Sequence, residues 1–232
     1  MTTKYSHIFF DLDKTIWDFE TNSEQTIREI YDMLKFDKQN ISSFDAFHTI
    51  YDGHNLRYWE LYRQNKVEKA DLMVMRFQDA LLEFGIDDME IAQQFSTKYL
   101  ELLPEKTAVF EGTHETLEYL SAKYKLHIIT NGFEEVQFRK IHNAGMDKFF
   151  TRIITSEEAG CKKPDQRIFE YSLKLIQASA HECLMVGDDM EVDLLGARHA
   201  DIDQVFFNTK NIKHNHKFTY EIKDMRELCG LL

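Results

Sequence analysis

The chain has 232 residues, 43% of them hydrophobic and 29% charged, with a formal net charge of −12. That length supports one sizeable core, or a core with a smaller second unit. The acidic balance argues against binding to nucleic acid polymers or to an anionic membrane surface, and no stretch reaches the length of a membrane span.

The opening MTTKYSHIFFDLD has no long apolar segment before its first acidic residues, so no secretory signal is expected. Ser6–Phe10 reads as a short buried strand that turns abruptly polar at Asp11. Further strands are expected at Lys125–Ile129, Arg152–Thr155, Glu182–Val186 and Gln204–Phe207. Helical patterns fall between them, over Thr113–Lys123, Glu134–Asn143, Gln166–Ile176 and Glu191–Ala200, with Gly145 as the residue that ends the second. Alternation of this kind predicts an α/β fold with a central parallel sheet and crossover helices. Cys161, Cys183 and Cys229 lack metal-ligand spacing and make a poor disulfide count, so a cytoplasmic setting is expected, with Cys183 a buried thiol. The tail segment NIKHNHKF is too irregular for a metal site and reads as a solvated loop.

The stretch after the first strand differs. Residues 19–103 carry helical spacing and no convincing strand. The apolar positions are Thr26, Ile30, Met33 and Leu34, then Leu56, Trp59, Leu61 and Tyr62, then Met73, Phe77, Leu81 and Leu82. Interruptions are expected over Asp45–Asn55 and Gly85–Asp87. This predicts a helical unit inserted into an α/β core made of residues 1–18 and 104–232.

Chemistry-bearing residues cluster where strands end. Asp11 and Asp13 follow the first strand with i, i+2 spacing, on one side of an extended chain. Open α/β sheets bind ligands at that end. Two adjacent carboxylates repel unless a cation or proton intervenes, and Mg²⁺ suits their hard oxygens. Thr130-Asn131-Gly132 follows the second strand as a hydroxyl in a tight turn, a cradle for phosphate. Lys163 precedes Pro164 and offers a positive charge for phosphate. Gly187-Asp188-Asp189 ends a later strand, with Asp193 four residues on. Asp189 and Asp193 also fit helix N-terminal duties, and Lys163 also fits a solvated loop.

Together these segments resemble the haloacid dehalogenase superfamily, phosphatase branch. Its D-x-D-x-T motif matches Asp11-Leu12-Asp13-Lys14-Thr15, its strand-end Thr matches Thr130, its Lys-Pro pair matches Lys163, and its G-D-x-x-x-x-D matches Gly187, Asp188 and Asp193. The resemblance spans the chain and implies a Rossmann-like three-layer core with an all-helical C1-type cap. It further implies that Asp11 is the nucleophile, Asp13 the acid/base, and Thr130, Lys163 and the amides near Asn131 and Gly132 the holders of phosphoryl oxygens. Mg²⁺ would lie among Asp11, the backbone carbonyl of Asp13 and Asp188, with Asp189 and Asp193 supporting it. Many members carry Gly where this chain has Lys14, whose side chain is expected to point to solvent. Asp13 and the full acidic set disfavour dehalogenation.

The linker Ile16–Glu20, the run Leu56–Arg63 and Met75-Arg76-Phe77 resemble a 5′-nucleotidase-like branch. The expected substrate is a small phosphorylated metabolite such as a nucleoside 5′-monophosphate, with a sugar phosphate or a broad range of organophosphates as the alternative. A non-catalytic phosphate-binding protein is the alternative from another class. Trp17 and Phe19 offer stacking faces for a base, or pack within the protein. Arg57, Arg63 and Arg76 fit ion pairs more readily than substrate contacts. A monomer or homodimer is expected.

Overall fold

In the computed structural model, which describes residues 4–38, 41 and 43–232, the apolar run His7–Phe10 forms a strand, β1, buried at all four positions. The first three residues of the N-terminal stretch lie outside the described residues. The backbone divides into two compact units, Met1–Phe19 with Thr107–Leu232, and Glu20–Lys106.

Four helices, α1 (Phe19–Met33), α2 (Phe44–Arg63), α3 (Lys69–Leu82) and α4 (Met89–Leu102), make up the second unit. Side chains satisfy orphan amides at the starts of α2 and α4. Ser43 accepts from Ala46 N, and Asp88 accepts from the amides of Glu90 and Ile91. The expected interruption over Asp45–Asn55 is not found, because α2 runs through it. Its buried face is Phe47, Tyr51, Asn55, Tyr58 and Tyr62, a stripe of i+3 and i+4 steps, whereas Leu56 is exposed and Trp59 only half-buried. Rings make the core: Phe77 stacks on Phe95 with centroids 4.6 Å apart and on Tyr51 at 5.0 Å. Arg57 and Arg63 make the expected ion pairs, with Asp79 and Glu60. Arg76 does not. It is buried, donates to Asn55 Oδ1 at 2.8 Å, and lies over the rings of Phe77 and Tyr99.

The chain then builds α5 (Thr113–Ser121), β2 (Lys125–Thr130), α6 (Glu134–Asn143), β3 (Phe150–Thr155), α7 (Ser156–Ala159), α8 (Gln166–Ile176) and β4 (Cys183–Gly187). A π-helical segment, Met190–Leu195, leads into α9 (Gly196–His199), followed by β5 (Asp203–Phe207), β6 (Tyr220–Ile222) and α10 (Leu228–Leu231). Among the described residues six strands form one parallel sheet in the order β3-β2-β1-β4-β5-β6, flanked by helices. The order reverses between β1 and β4, which is the crevice where such sheets hold ligands. Phe10 pairs with Ile128 of β2 and Val186 of β4, so Asp11, Thr130 and Asp188 all emerge within two residues of one level.

Strand β6 was not expected; NIKHNHKF is a loop with most residues exposed, as read from the sequence, but one of its histidines packs against the sheet. His214 is not solvated: its ring packs on Phe206 and Phe218, and its Nε2 lies 3.2 Å from Glu221 of β6. Cys183 is fully buried, and burial pushes its thiol up to about 12. Among the described residues no helix is long and apolar enough to cross a membrane.

Two buried histidines on adjacent strands set an acid limit. His7 Nδ1 lies 3.0 Å from His127 Nε2, and burial lowers both, His127 to about 3. An unfolded chain protonates these rings near pH 6.5, so below that pH it takes up protons that the fold refuses. Stability is therefore expected to fall by about 1.4 kcal/mol per pH unit for His127 between about pH 6.5 and 3. Urea denaturation of the parent and a His127→Phe variant at pH 7 and 5 checks this; parallel losses in both chains would refute it.

Candidate active site

The turn after β1 is built around Asp11. Its N–H continues the sheet by donating to Val186 O at 2.9 Å, and Leu12 O accepts from the amides of Ile16 and Trp17. Inside this turn Lys14 holds φ 69°, a left-handed conformation that strains any side chain and suits glycine. Its N–H donates to Trp17 O. The Lys14 side chain is not simply turned to solvent. Its ammonium lies 5.8 Å from the Phe19 ring centre, and its charge acts to lower the Asp188 carboxyl.

Asp11, Asp188 and Asp193 converge, with one carboxylate oxygen from each within 4.8 Å of the others. Lys163, only 1% exposed, donates to Asp11 Oδ1 and to Asp193 Oδ1, both at 2.6 Å. Thr15 Oγ1 donates to Asp188 Oδ1 at 3.2 Å. Asp193 comes this close because residue 187 is glycine: a Cβ there would sit 2.5 Å from Asp193 Oδ2. Asp189 does not join the cluster. Its Oδ1 accepts from the amides of Glu191 and Val192 and so caps the π-helical segment.

With all three carboxylates ionised against one buried ammonium, this pocket is two charges short of neutral. Burial, with Asp193 and Asp188 nearby, drives Asp11 well above the ordinary carboxylate range, against the opposing pull of Lys163. Burial and Asp193 push Asp188 up to about 7. For Lys163 burial acts downward, but Asp11 and Asp193 outweigh it and hold the ammonium above its ordinary value. A doubly charged, oxygen-seeking cation cancels the deficit, so the cluster is positioned to chelate Mg²⁺. At pH 7 and below that cation must displace a proton from Asp188. Mg²⁺ affinity is therefore expected to fall by up to about tenfold per unit as pH drops from 8 to 6. Calorimetric titration at several pH values measures this, and a flat profile would contradict it.

The carboxylate of Asp13 points elsewhere. Oδ1 accepts from Lys140 Nζ at 2.6 Å and Oδ2 from Gln137 Nε2 at 2.8 Å. Neither α6 residue stands out in the sequence, although their i, i+3 spacing puts them on one helix face. Thr130 Oγ1 accepts from Gln137 Nε2 at 2.6 Å and from Gly132 N at 3.1 Å. The Gly132 amide is thereby used inside the turn instead of facing a ligand. Asn131 uses its side chain on the backbone of Lys163, donating to its carbonyl at 2.9 Å and accepting from its N–H at 2.8 Å. Trp17 is fully buried, so it presents no stacking face; its ring centre lies 4.2 Å from Lys140 Nζ. Phe19 is half-buried, tilted against Trp17.

Known proteins are similar to this chain in sequence and fold. A family model described as haloacid dehalogenase-like hydrolase matches residues 5–201. The HAD-hydrolase YfnB of Bacillus subtilis is 30% identical over 99% of this chain and 96% of its own length. Its crystal structure, bound to magnesium, superposes with a TM-score of 0.88 at 27% identity, covering 99% of both chains. The pyrimidine 5′-nucleotidase PynA of Streptococcus pneumoniae is 26% identical, over 98% of this chain and 95% of its own. A glyceraldehyde 3-phosphate phosphatase of Methanothermobacter thermautotrophicus is 35% identical over 44% of this chain and 45% of its own. The acidic cluster, the sheet and the family match converge on phosphoric monoester hydrolysis, and the chain belongs to the haloacid dehalogenase-like hydrolase family.

Proposed function

We propose that this protein hydrolyses small phosphate monoesters with Asp11 as nucleophile, acting on sugar phosphates or on a broad range of organophosphates. The observation that carries the reading is the buried Asp11 carboxylate held by Lys163 inside the three-carboxylate cluster. Lys163 pulls the attacking carboxyl toward its ionised form, against the effect of burial, and offers charge to the phosphate. An Asp11 oxygen attacks phosphorus, the ester P–O bond breaks, and the leaving oxygen takes the proton of Asp13, which enters this step in its acid form and leaves it as the carboxylate. Asp13 then accepts a proton from water as that water attacks the aspartyl-phosphate, releasing phosphate and free Asp11. Bound Mg²⁺ supplies Lewis-acid charge that offsets repulsion between the carboxylates and the phosphate oxygens. The Thr130 hydroxyl and the Asn131 amide contribute donors to the phosphoryl group, and the helical unit Glu20–Lys106 selects the leaving group as a cap.

Breadth is favoured because the relatives differ in the phosphorylated compounds their names carry, a pyrimidine nucleotide in one and a triose phosphate in another. A dedicated 5′-nucleotidase is the second reading, favoured by the near full-length match to PynA. A panel with Mg²⁺ separates them: para-nitrophenyl phosphate, glyceraldehyde 3-phosphate, hexose phosphates, 5′-UMP, 5′-dUMP and 5′-dTMP. Comparable kcat/KM across unrelated esters is expected. A preference for pyrimidine nucleotides of about 100-fold or more would favour the second reading, and no turnover of any ester would sink both.

A further inference from the structure

Helix α6 holds two of the proposed reacting groups at once. A carboxylate only accepts hydrogen bonds, so its contact with Asp13 Oδ2 requires the Gln137 amide to present its nitrogen. That same Nε2 reaches Thr130 Oγ1, so its two hydrogens serve Asp13 and Thr130 together. A hydroxyl has two acceptor lone pairs and one hydrogen. On Thr130 the Gln137 amide and the Gly132 N–H occupy both lone pairs, which leaves the hydroxyl only its hydrogen to give. The glycine is part of the device, since a Cβ at position 132 would sit 2.3 Å from Gln137 Nε2. This orientation leaves Gln137 Oε1 buried with no partner, a costly state for an amide placed only for packing. Lys140 completes the clamp. Its side chain is 3% exposed, rests on the Trp17 ring, and takes the other oxygen of Asp13.

The geometry points to Gln137 and Lys140 as positioning residues: together they hold the Asp13 carboxylate, and Gln137 makes Thr130 a donor-only hydroxyl for the oxygens of the transferring phosphoryl group. This rests on the proposed roles of Asp13 and Thr130. It adds that one amide couples proton transfer at the leaving oxygen to recognition of the phosphoryl group. A plain structural role for the Lys140–Asp13 pair, tying α6 to the turn after β1, would weaken every reaction alike. The coupled role would not.

Two esters separate these cases. The aryl leaving group of para-nitrophenyl phosphate needs little protonation, whereas the alkoxide of glycerol 2-phosphate needs a proton from Asp13. Lys140→Met is expected to lower kcat/KM by about 100-fold on glycerol 2-phosphate and by under about tenfold on the aryl ester. Lys140→Arg, which keeps the charge, should stay within about tenfold of the parent on both. Gln137→Glu loses the two N–H donors that serve Asp13 and Thr130 together, so inhibition by orthovanadate should weaken by about 100-fold, with Gln137→Met showing the same loss at near-equal volume. Mg²⁺ affinity, measured by calorimetry, should not change in any of the four. Equal losses on both esters in Lys140→Met, or unchanged vanadate inhibition in the Gln137 variants, would overturn the inference. If the parent turns over neither ester, or an Asp11→Asn chain turns over both, the proposed function fails first and takes the inference with it.

Discussion

An Asp11→Asn chain is expected to lose at least about a thousandfold in turnover, yet to unfold no more easily than the parent in Mg²⁺-free buffer. The two halves of this result have one origin. Asn keeps the shape of Asp but offers no carboxylate oxygen to attack phosphorus, so no aspartyl-phosphate forms. The same change removes one of three crowded negative charges. Burial and the neighbouring carboxylates raise Asp11 well above its ordinary range, which means the fold opposes its ionised form. Lys163 keeps Asp193 as a partner after the substitution. With Mg²⁺ present the order should reverse, because the variant has lost a ligand and gains less from the cation. Thermal midpoints with and without Mg²⁺, beside turnover of para-nitrophenyl phosphate, test both halves. A variant that kept more than about a tenth of the parent's rate would show that Asp11 is not the nucleophile.

The convergence of Asp11, Thr130 and Asp188 is legible in the sequence because parallel strands align their carboxyl ends. Short apolar runs that stop at DLD, TNG and GDD can hardly fail to place those residues together once the strands pair in register. What surrounds them is set by side-chain choices that strand periodicity does not encode. Asp189 and Asp193 look alike in the sequence, but the first is consumed by two amides of the next helix while the second sits against Gly187. Gln137 and Lys140 are unremarkable on an amphipathic helix, and only its docking beside β2 turns them onto Asp13 and Thr130. Trp17 looks like a mouth residue by its position, but the backbone turn pairs it with Asp13 and Val109 and buries the ring. In the helical unit the stripe is misjudged for a similar reason. Asp45, Asp52, Gly53 and His54 suggest a break, whereas Phe47, Tyr51, Asn55 and Tyr58 keep α2 continuous by burying one residue on each successive turn.

Replacing Lys163 with Met is expected to cost about 3–5 kcal/mol of stability in the absence of Mg²⁺, and to lower turnover by about a thousandfold. Met fills a similar volume, so the loss is one of charge more than of packing. The ammonium is almost fully buried and holds Asp11 and Asp193 at 2.6 Å each. Without it three carboxylates share one pocket with no buried cation among them. That loss should depend on pH, and the sign follows from Asp188. Its carboxyl stands at about 7, above its ordinary value, so the ionised form disfavours the fold and a proton taken up below that pH relieves the repulsion. The gap between parent and variant should therefore be larger at pH 8 than at pH 6. Mg²⁺ should close part of it at pH 8, where the carboxylates are free to bind the cation. Urea denaturation of both chains at the two pH values, with and without Mg²⁺, reads all of this. A gap indifferent to pH and to Mg²⁺ would mean that Lys163 acts through packing and the backbone bonds it makes with Asn131, and that the charge account of the site is wrong.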